Sequence, residues 1–159
     1  MMLLEGELCA GPSEIRMQPV ESDAQWAAYL SLKLSDETAA WVRTLGEEWL
    51  GCMRRKRPRV RTWLALRGDF PAGFFSEFVE DGLGLLEDLY VHPTARFRGV
   101  ATALVAHCVS KARERGAEAV FLTARAEDTP KHMYAKMGFR PVALTQHWLA
   151  PERSAANDS

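Results

Sequence analysis

The sequence predicts a single mixed α/β domain of the α+β kind, with a mostly antiparallel sheet flanked by helices, and three observations carry that expectation. Its 159 residues are one domain's length, enough to bury about two-thirds of the unfolded surface without a metal or disulfide. Hydrophobic residues make up 47% and charged residues 26%, the balance of a globular chain and not of a disordered, fibrous or coiled-coil one. The apolar period also changes along the chain, from helical before residue 57, to strand-like between 60 and 91, and back to helical after 99.

Residues 1–14, with Gly6, Gly11 and Pro12 and no clear period, are expected to form a flexible segment, as are residues 150–159, leaving 15–149 as the domain. Residues 15–20 read as a short strand with Ile15 and Met17 on one face, and Pro19 confines it to a sheet edge because proline cannot donate to a ladder. Ser22 or Asp23 then caps a helix carrying Trp26, Tyr29, Leu30 and Leu34 on one face. A second helix starts near Asp36, uses Ala40, Trp41, Leu45, Trp49 and Leu50, and ends in a basic run from Arg54 to Arg57 that suits the negative end of a helix dipole. Residues 60–66, 72–79 and 83–91 read as an antiparallel meander, separated by the turn signals Gly68-Asp69 and Asp81-Gly82. From 99 to 115 apolar residues recur at 100, 101, 104, 105, 108, 109 and 112, a helical stripe stopped by Gly116. Residues 119–124 form a buried-type strand, Thr129 and Pro130 open a short helix through Tyr134 to Met137 that Gly138 closes, and 141–149 form the last strand.

Composition also excludes functions. Twenty basic residues against 21 acidic ones leave a net charge of -1, so no whole-molecule field recommends nucleic acid or an anionic membrane as a partner. Arg54, Arg55, Lys56, Arg57, Arg59 and Arg61 form a local basic cluster; a solvated helix end is its ordinary reading, and an RNA- or DNA-binding module is the alternative. Cys9, Cys52 and Cys108 are odd in number and widely spaced, and His92, His107, His132 and His147 lack ligand spacing, so neither a disulfide framework nor a metal site is expected. Reduced thiols, an N-terminal apolar run broken by Glu5 and Glu7, and apolar stretches far short of a bilayer's about 20 residues predict a soluble cytoplasmic protein.

The chemistry is concentrated in Leu85-Leu86-Glu87-Asp88-Leu89-Tyr90-Val91-His92-Pro93, followed by Arg96-Phe97-Arg98-Gly99-Val100-Ala101-Thr102. A strand feeding a loop of small and basic residues and then a helix start presents several unpaired N–H groups to one point, and that point suits an anion. Gly99 and Ala101 leave room for a phosphate to approach the backbone, while Arg96 and Arg98 add cationic donors. A plain strand-to-helix loop with solvated arginines accounts for the same residues, and physics alone leaves the two readings level. The pattern is neither the G-x-x-x-x-G-K-[ST] loop nor G-x-G-x-x-G, which disfavours a nucleotide triphosphatase or a dinucleotide fold.

Arg96-x-x-Gly99-x-Ala101 after Leu89-Tyr90-Val91-His92-Pro93 resembles the acyl-CoA-binding motif [QR]-x-x-G-x-[GA] of the GNAT superfamily of N-acetyltransferases. Tyr134-Ala135-Lys136-Met137-Gly138-Phe139 is similar to the family's Y-x-x-x-G-F segment, at the expected distance downstream. The two motifs fall within residues 60–149, and the order of elements agrees with the family fold. The resemblance implies a V-splayed sheet with acetyl-CoA, as cosubstrate, between the strands predicted at 83–91 and 119–124. It further implies that backbone groups of Leu89, Tyr90 and Val91 meet the pantetheine arm and that Arg96 through Thr102, mostly by main-chain N–H, hold the pyrophosphate. Relatives often place Asn seven residues before the tyrosine, where this chain has Glu127; the neighbouring Asp128, with Lys131, is the better candidate for a coenzyme contact.

Acetyl transfer requires a neutral amine, yet an alkylamine with a pKa of about 10.4 is deprotonated only about one time in 10³ at neutral pH. Glu87 and Asp88 are adjacent, so on a regular strand they point to opposite faces and at most one meets the cleft. Residues 86–91 are similar to the polyamine-acetylating branch of the family, which implies an acidic residue serving the amine. Glu87 is the first candidate for general base, directly or through water, and Asp88 the second; surface carboxylates are the ordinary reading of both. A backbone N–H near Leu89 or Val91 would meet the oxyanion where the family's bulged strand frees it. Tyr134 suits the leaving thiolate as an acid, its other reading being a core aromatic beside Met133 and Met137. The expected function is direct acetyl transfer to a primary amine of a small molecule or peptide, since no cysteine stands in a motif for covalent catalysis. Asp36, Glu37, Glu47 and Glu48 in the first two helices hint at a cationic amine. An acyl-CoA-binding or regulatory module without catalysis is the alternative, and relatives are often homodimers.

Overall fold

The structure, a computed structural model, describes residues 1–8, 14–35, 42–125, 127 and 129–146. In chain order the elements are β1 (Met2–Leu4), β2 (Arg16–Pro19), α1 (Asp23–Leu34), α2 (Val42–Arg55), β3 (Val60–Arg67), β4 (Phe70–Glu80), β5 (Leu83–Val91), α3 (Val100–Glu114), β6 (Ala119–Leu122), α4 (Pro130–Lys136) and β7 (Phe139–Pro141), with a 3-10 turn at Pro93–Ala95. The strands form one seven-stranded sheet in the order β2-β3-β4-β5-β6-β1-β7. Every pairing is antiparallel except β5 with β6. Among the described residues no helix is long and apolar enough to cross a membrane.

Alternation along β3, β4 and β5 gives the sheet two buried faces, each with its own core. On one side α3 packs Leu104, Val105 and Cys108 against Phe75, Leu86, Leu122 and Phe139. On the other, α1 and α2 bring Trp26, Tyr29, Leu50 and Met53 onto Leu64, Phe74 and Tyr90. Ser22 is the cap that opens α1: its hydroxyl accepts from Gln25 N–H at 3.3 Å, and Gln25 Oε1 accepts in return from Ser22 N–H at 2.7 Å. The buried stripe of α1 is Trp26, Tyr29, Leu32 and Lys33, whereas Leu34, expected there, is 37% exposed.

Other expectations are also corrected. Met2–Leu4 is not a frayed end: it lies inside the sheet, pairing Met2 with Leu122 on β6 and with Pro141 on β7, and Met2 and Leu4 are buried. The last strand begins before Pro141, at Phe139, where β1 pairs with residues 139–141; past it, Val142 N–H still donates to the Met1 carbonyl at 3.1 Å and the N-terminal amine donates to the Ala143 carbonyl at 2.8 Å, and 147–149 lie outside the described residues. Thr129 makes no side-chain cap, its backbone being already helical at φ -67 and ψ -29. The expected start of α2, with Asp36, Glu37, Ala40 and Trp41, lies outside the described residues, and α2 is kinked at Leu45, where φ is -113 and ψ is 17. Cys52 and Cys108 are free thiols, Cys9 lies outside the described residues, and burial pushes the Cys108 thiol up.

One buried carboxylate makes stability depend on pH. Glu77, 1% exposed on the α3 side of β4, accepts from Arg115 Nη1 at 3.3 Å, while its second oxygen is buried with no hydrogen-bond partner placed among the described residues. Burial raises its pKa above the ordinary 4.5, more than the Arg115 charge lowers it. A raised folded pKa means that the folded protein holds this proton more tightly than the unfolded chain does. Stability is then full below the unfolded value and is lost as pH rises through the folded one. Glu77→Gln is therefore expected to raise Tm at neutral pH by about 2–4 °C, the effect of roughly 1 kcal/mol in a domain of this size. The gain should vanish as thermal melts are taken down to about pH 4; a constant gain across that range would place its cause elsewhere than in the proton.

Candidate active site

Strand β5 departs from regularity where its chemistry lies. It pairs with β4 from Leu83–Glu80 to Glu87–Ser76 and resumes at Tyr90–Phe74, so Asp88 and Leu89 together stand opposite Phe75. The extra residue makes a β-bulge, and Asp88 adopts φ 56, a left-handed conformation that aspartate tolerates better than most residues. Alternation breaks as a result. Leu86, Leu89 and Val91 join the α3-side core and Tyr90 the α1-side core, while Asp88 bonds to α1 and the Glu87 charge acts on Tyr29 of the same helix. Both carboxylates therefore face α1, and the expectation that neighbours on a strand point opposite ways fails at the bulge.

The two carboxylates stand in unlike surroundings. Glu87 is exposed. Asp88 Oδ1 is ion-paired to Lys33 Nζ, and its Oδ2 accepts from the Tyr29 hydroxyl at 3.1 Å. Tyr29 in turn accepts from Trp49 Nε1 at 3.2 Å. Burial and then the Asp88 charge push the Tyr29 hydroxyl up, so it stays protonated and donates. Tyr90, beside the bulge, donates its hydroxyl proton to the Ser35 carbonyl at 3.1 Å, which ties β5 to the end of α1. Lys33 was not legible as a site residue, because lysine ordinarily occupies the solvated face of a helix; its spacing from Trp26 and Tyr29 was the available signal.

On its other edge β5 is open. Pairing with β6 runs from Leu83–Ala119 to Leu86–Leu122 and ends there, while β5 continues to Val91. The strands splay into a V, and the main chain of residues 87–91 faces the gap as an extended edge that a linear ligand can line. The chain then passes through the Pro93–Ala95 turn to the start of α3. Arg96 Nε donates to the Val91 carbonyl at 3.2 Å, Phe97 is fully exposed at φ 60, and Arg98 is exposed. Gly99 caps α3 at φ 79, and the first bond of the helix runs from Ala103 N–H to the Gly99 carbonyl at 2.9 Å. The N–H groups of Val100, Ala101 and Thr102 precede that bond and have no acceptor within the helix. A Cβ at Gly99 would meet nothing within 4 Å, so the space above this helix start is open to a phosphate.

Tyr134 completes the constellation from the other side of the strand. It is 6% exposed in the core cluster against which Leu89 and Val91 pack, edge-on to Phe139 at 6.2 Å, and burial pushes its hydroxyl up. The open edge of β5 thus runs between Glu87 on the α1 side and Tyr134 on the α3 side. Lys131 is half-buried at the start of α4, and Asp128 lies outside the described residues. Half of the basic cluster is ion-paired: Arg54 with Asp23 at 2.9 Å, Arg57 with Glu21 at 3.1 Å, and Arg59 with Glu80. Among the described residues no group of histidine, cysteine or acidic side chains could hold a metal ion.

A V-splayed mixed sheet with a bulged strand leading to a glycine-capped helix start defines an acyl-CoA N-acyltransferase fold. The model of the acetyltransferase (GNAT) family matches residues 23–139, and the chain belongs to that family. Several solved structures share the fold. AAC(6')-Iy, in complex with the bisubstrate analogue CoA-S-monomethyl-acetylneamine, is 17% identical with a TM-score of 0.67, over 87% of this chain and 99% of that one. The ribosomal-protein-S18-alanine N-acetyltransferase from Escherichia coli is 17% identical with a TM-score of 0.67, over 81% and 79%. A transcriptional regulator from Bacillus halodurans C-125 is 16% identical with a TM-score of 0.68, over 85% and 100%. No curated protein matches this sequence.

Proposed function

We propose that this protein is an N-acetyltransferase that moves the acetyl group of acetyl-CoA to a primary amine of a small molecule or peptide by direct attack. The observation that carries the reading is the continuity of two surfaces: the unpaired edge of β5 at residues 87–91 leads, through one short turn, to the open helix start at Gly99. An extended arm ending in a diphosphate has that shape. Leu89, Tyr90 and Val91 pair with the arm through main-chain groups, and the N–H groups from Phe97 to Thr102, with Arg96 and Arg98, receive the phosphates. Lys131 and Asp128 are the further coenzyme contacts proposed. Of the structural neighbours, one is in complex with a CoA-acetylneamine bisubstrate analogue and one is, by its name, an alanine N-acetyltransferase of a ribosomal protein, and this leaves the acceptor class to experiment.

The chain's own groups divide the chemistry. Glu87 takes the proton of the incoming amine, directly or through water. A backbone N–H near Leu89 or Val91, where the bulge interrupts the β4 register, donates to the carbonyl oxygen as negative charge develops there. Tyr134 donates to the departing sulfur. Thiol release from acetyl-CoA, measured across polyamines, aminoglycosides, amino acids and peptides, tests the reading. Release matched by one N-acetylated product is expected. Binding of acetyl-CoA without release to any amine would make the protein a non-catalytic acyl-CoA module, and no binding at all would overturn the assignment.

A further inference from the structure

Lys33 occupies a core position on α1, 6% exposed, where an ammonium group is tolerated only if its charge is met. Asp88 meets it, and the rings of Phe74 and Trp49 stand 5.5 and 5.8 Å from the nitrogen. Both oxygens of Asp88 are thereby engaged, Oδ1 by Lys33 and Oδ2 by the Tyr29 hydroxyl, which Trp49 of α2 holds in turn. The residue so held is the one that takes φ 56 in the bulge of β5.

We propose that Lys33, Tyr29 and Trp49 are positioning residues of the acetyl-transfer site and that Asp88 is their counter-ion, not a proton acceptor. The inference rests on the acetyltransferase reading and deepens it. The helices α1 and α2 clamp the side chain of Asp88, the clamp keeps its backbone left-handed, and that turn interrupts the β4 ladder at Leu89 and holds Asp88 on the α1 side, the side Glu87 already faces by regular alternation. With both Asp88 oxygens occupied by donors, the amine's proton goes to Glu87.

The test is a cycle of Lys33→Met, Asp88→Asn and the double variant, measured for acetyl-CoA affinity, kcat and Tm. Each single change leaves one buried charge without its partner, so affinity and kcat should fall about tenfold or more together with Tm. The double variant is neutral, and Asn both tolerates the left-handed backbone and accepts from Tyr29. It should recover to within about threefold of the original protein. A proton acceptor cannot be rescued by a second substitution, so a double variant as impaired as Asp88→Asn would overturn the proposal, as would unchanged affinity in Lys33→Met. Failure of the original protein to bind acetyl-CoA would instead overturn the acetyltransferase reading. The Tm cycle is readable in either case, and strictly additive shifts would show that no clamp exists.

Discussion

Gly99→Glu is expected to abolish acetyl-CoA binding while leaving the domain folded. Two effects add at this position. The backbone is left-handed at φ 79, which costs a residue with a Cβ about 1–2 kcal/mol, and the new carboxylate projects into the open space at the start of α3, where the diphosphate is proposed to sit. Strain alone would lower Tm without touching affinity; like charge facing like charge at a helix start would weaken binding by at least about 10²-fold, or roughly 2.7 kcal/mol. Gly116→Glu separates the two. Gly116 follows the other end of the same helix, is left-handed at φ 88, and likewise has nothing within 4 Å of an added Cβ. It should lose a similar amount of Tm and keep its acetyl-CoA affinity in titration calorimetry. If Gly99→Glu binds acetyl-CoA as tightly as Gly116→Glu, the phosphate assignment is wrong.

These positions show which parts of the molecule a sequence discloses. Gly99 and Gly116 bracket a helix whose apolar stripe repeats at helical spacing, so start, stop and buried face are all local signals, and α3 spans Val100–Glu114 against the expected 99–115. The meander from 60 to 91 was legible for the same reason, since alternation and two turn signals act between near neighbours. What was not legible depends on partners far away in the chain. Met2–Leu4 is too short to show a period and is a strand only because residues 121–122 and 139–141 flank it. The bulge at Asp88 needs Lys33, 55 residues earlier, and Tyr29, 59 residues earlier; nothing in 83–91 alone announces that Asp88 is left-handed. A pair of adjacent carboxylates was visible, but which one is free and which one is clamped is a tertiary fact.

Tyr134→Phe is expected to lower kcat by roughly 10²-fold, the lower end of what a positioned acid contributes, with acetyl-CoA affinity nearly unchanged. The ring packs edge-on to Phe139 within the core, and phenylalanine preserves that contact, so neither the fold nor the cleft is disturbed. What is lost is one hydroxyl whose pKa burial lifts above the ordinary 10.0. A thiolate with a pKa of about 8.5 or a little above cannot draw a proton fully from such a phenol. In the proposed mechanism Tyr134 therefore acts as a hydrogen-bond donor to the sulfur as its charge grows, and that contribution exists only as the bond breaks, which places the loss in kcat and not in ground-state binding. The pH profile carries the signature. Because Tyr134 stays protonated beyond its ordinary range, it should impose no alkaline limb on kcat at physiological pH, and the shape of the profile should be the same in Tyr134→Phe and the original protein. Equal kcat in the two proteins across pH would remove Tyr134 from the chemistry, and a fall in affinity equal to the fall in kcat/KM would make it a binding residue instead.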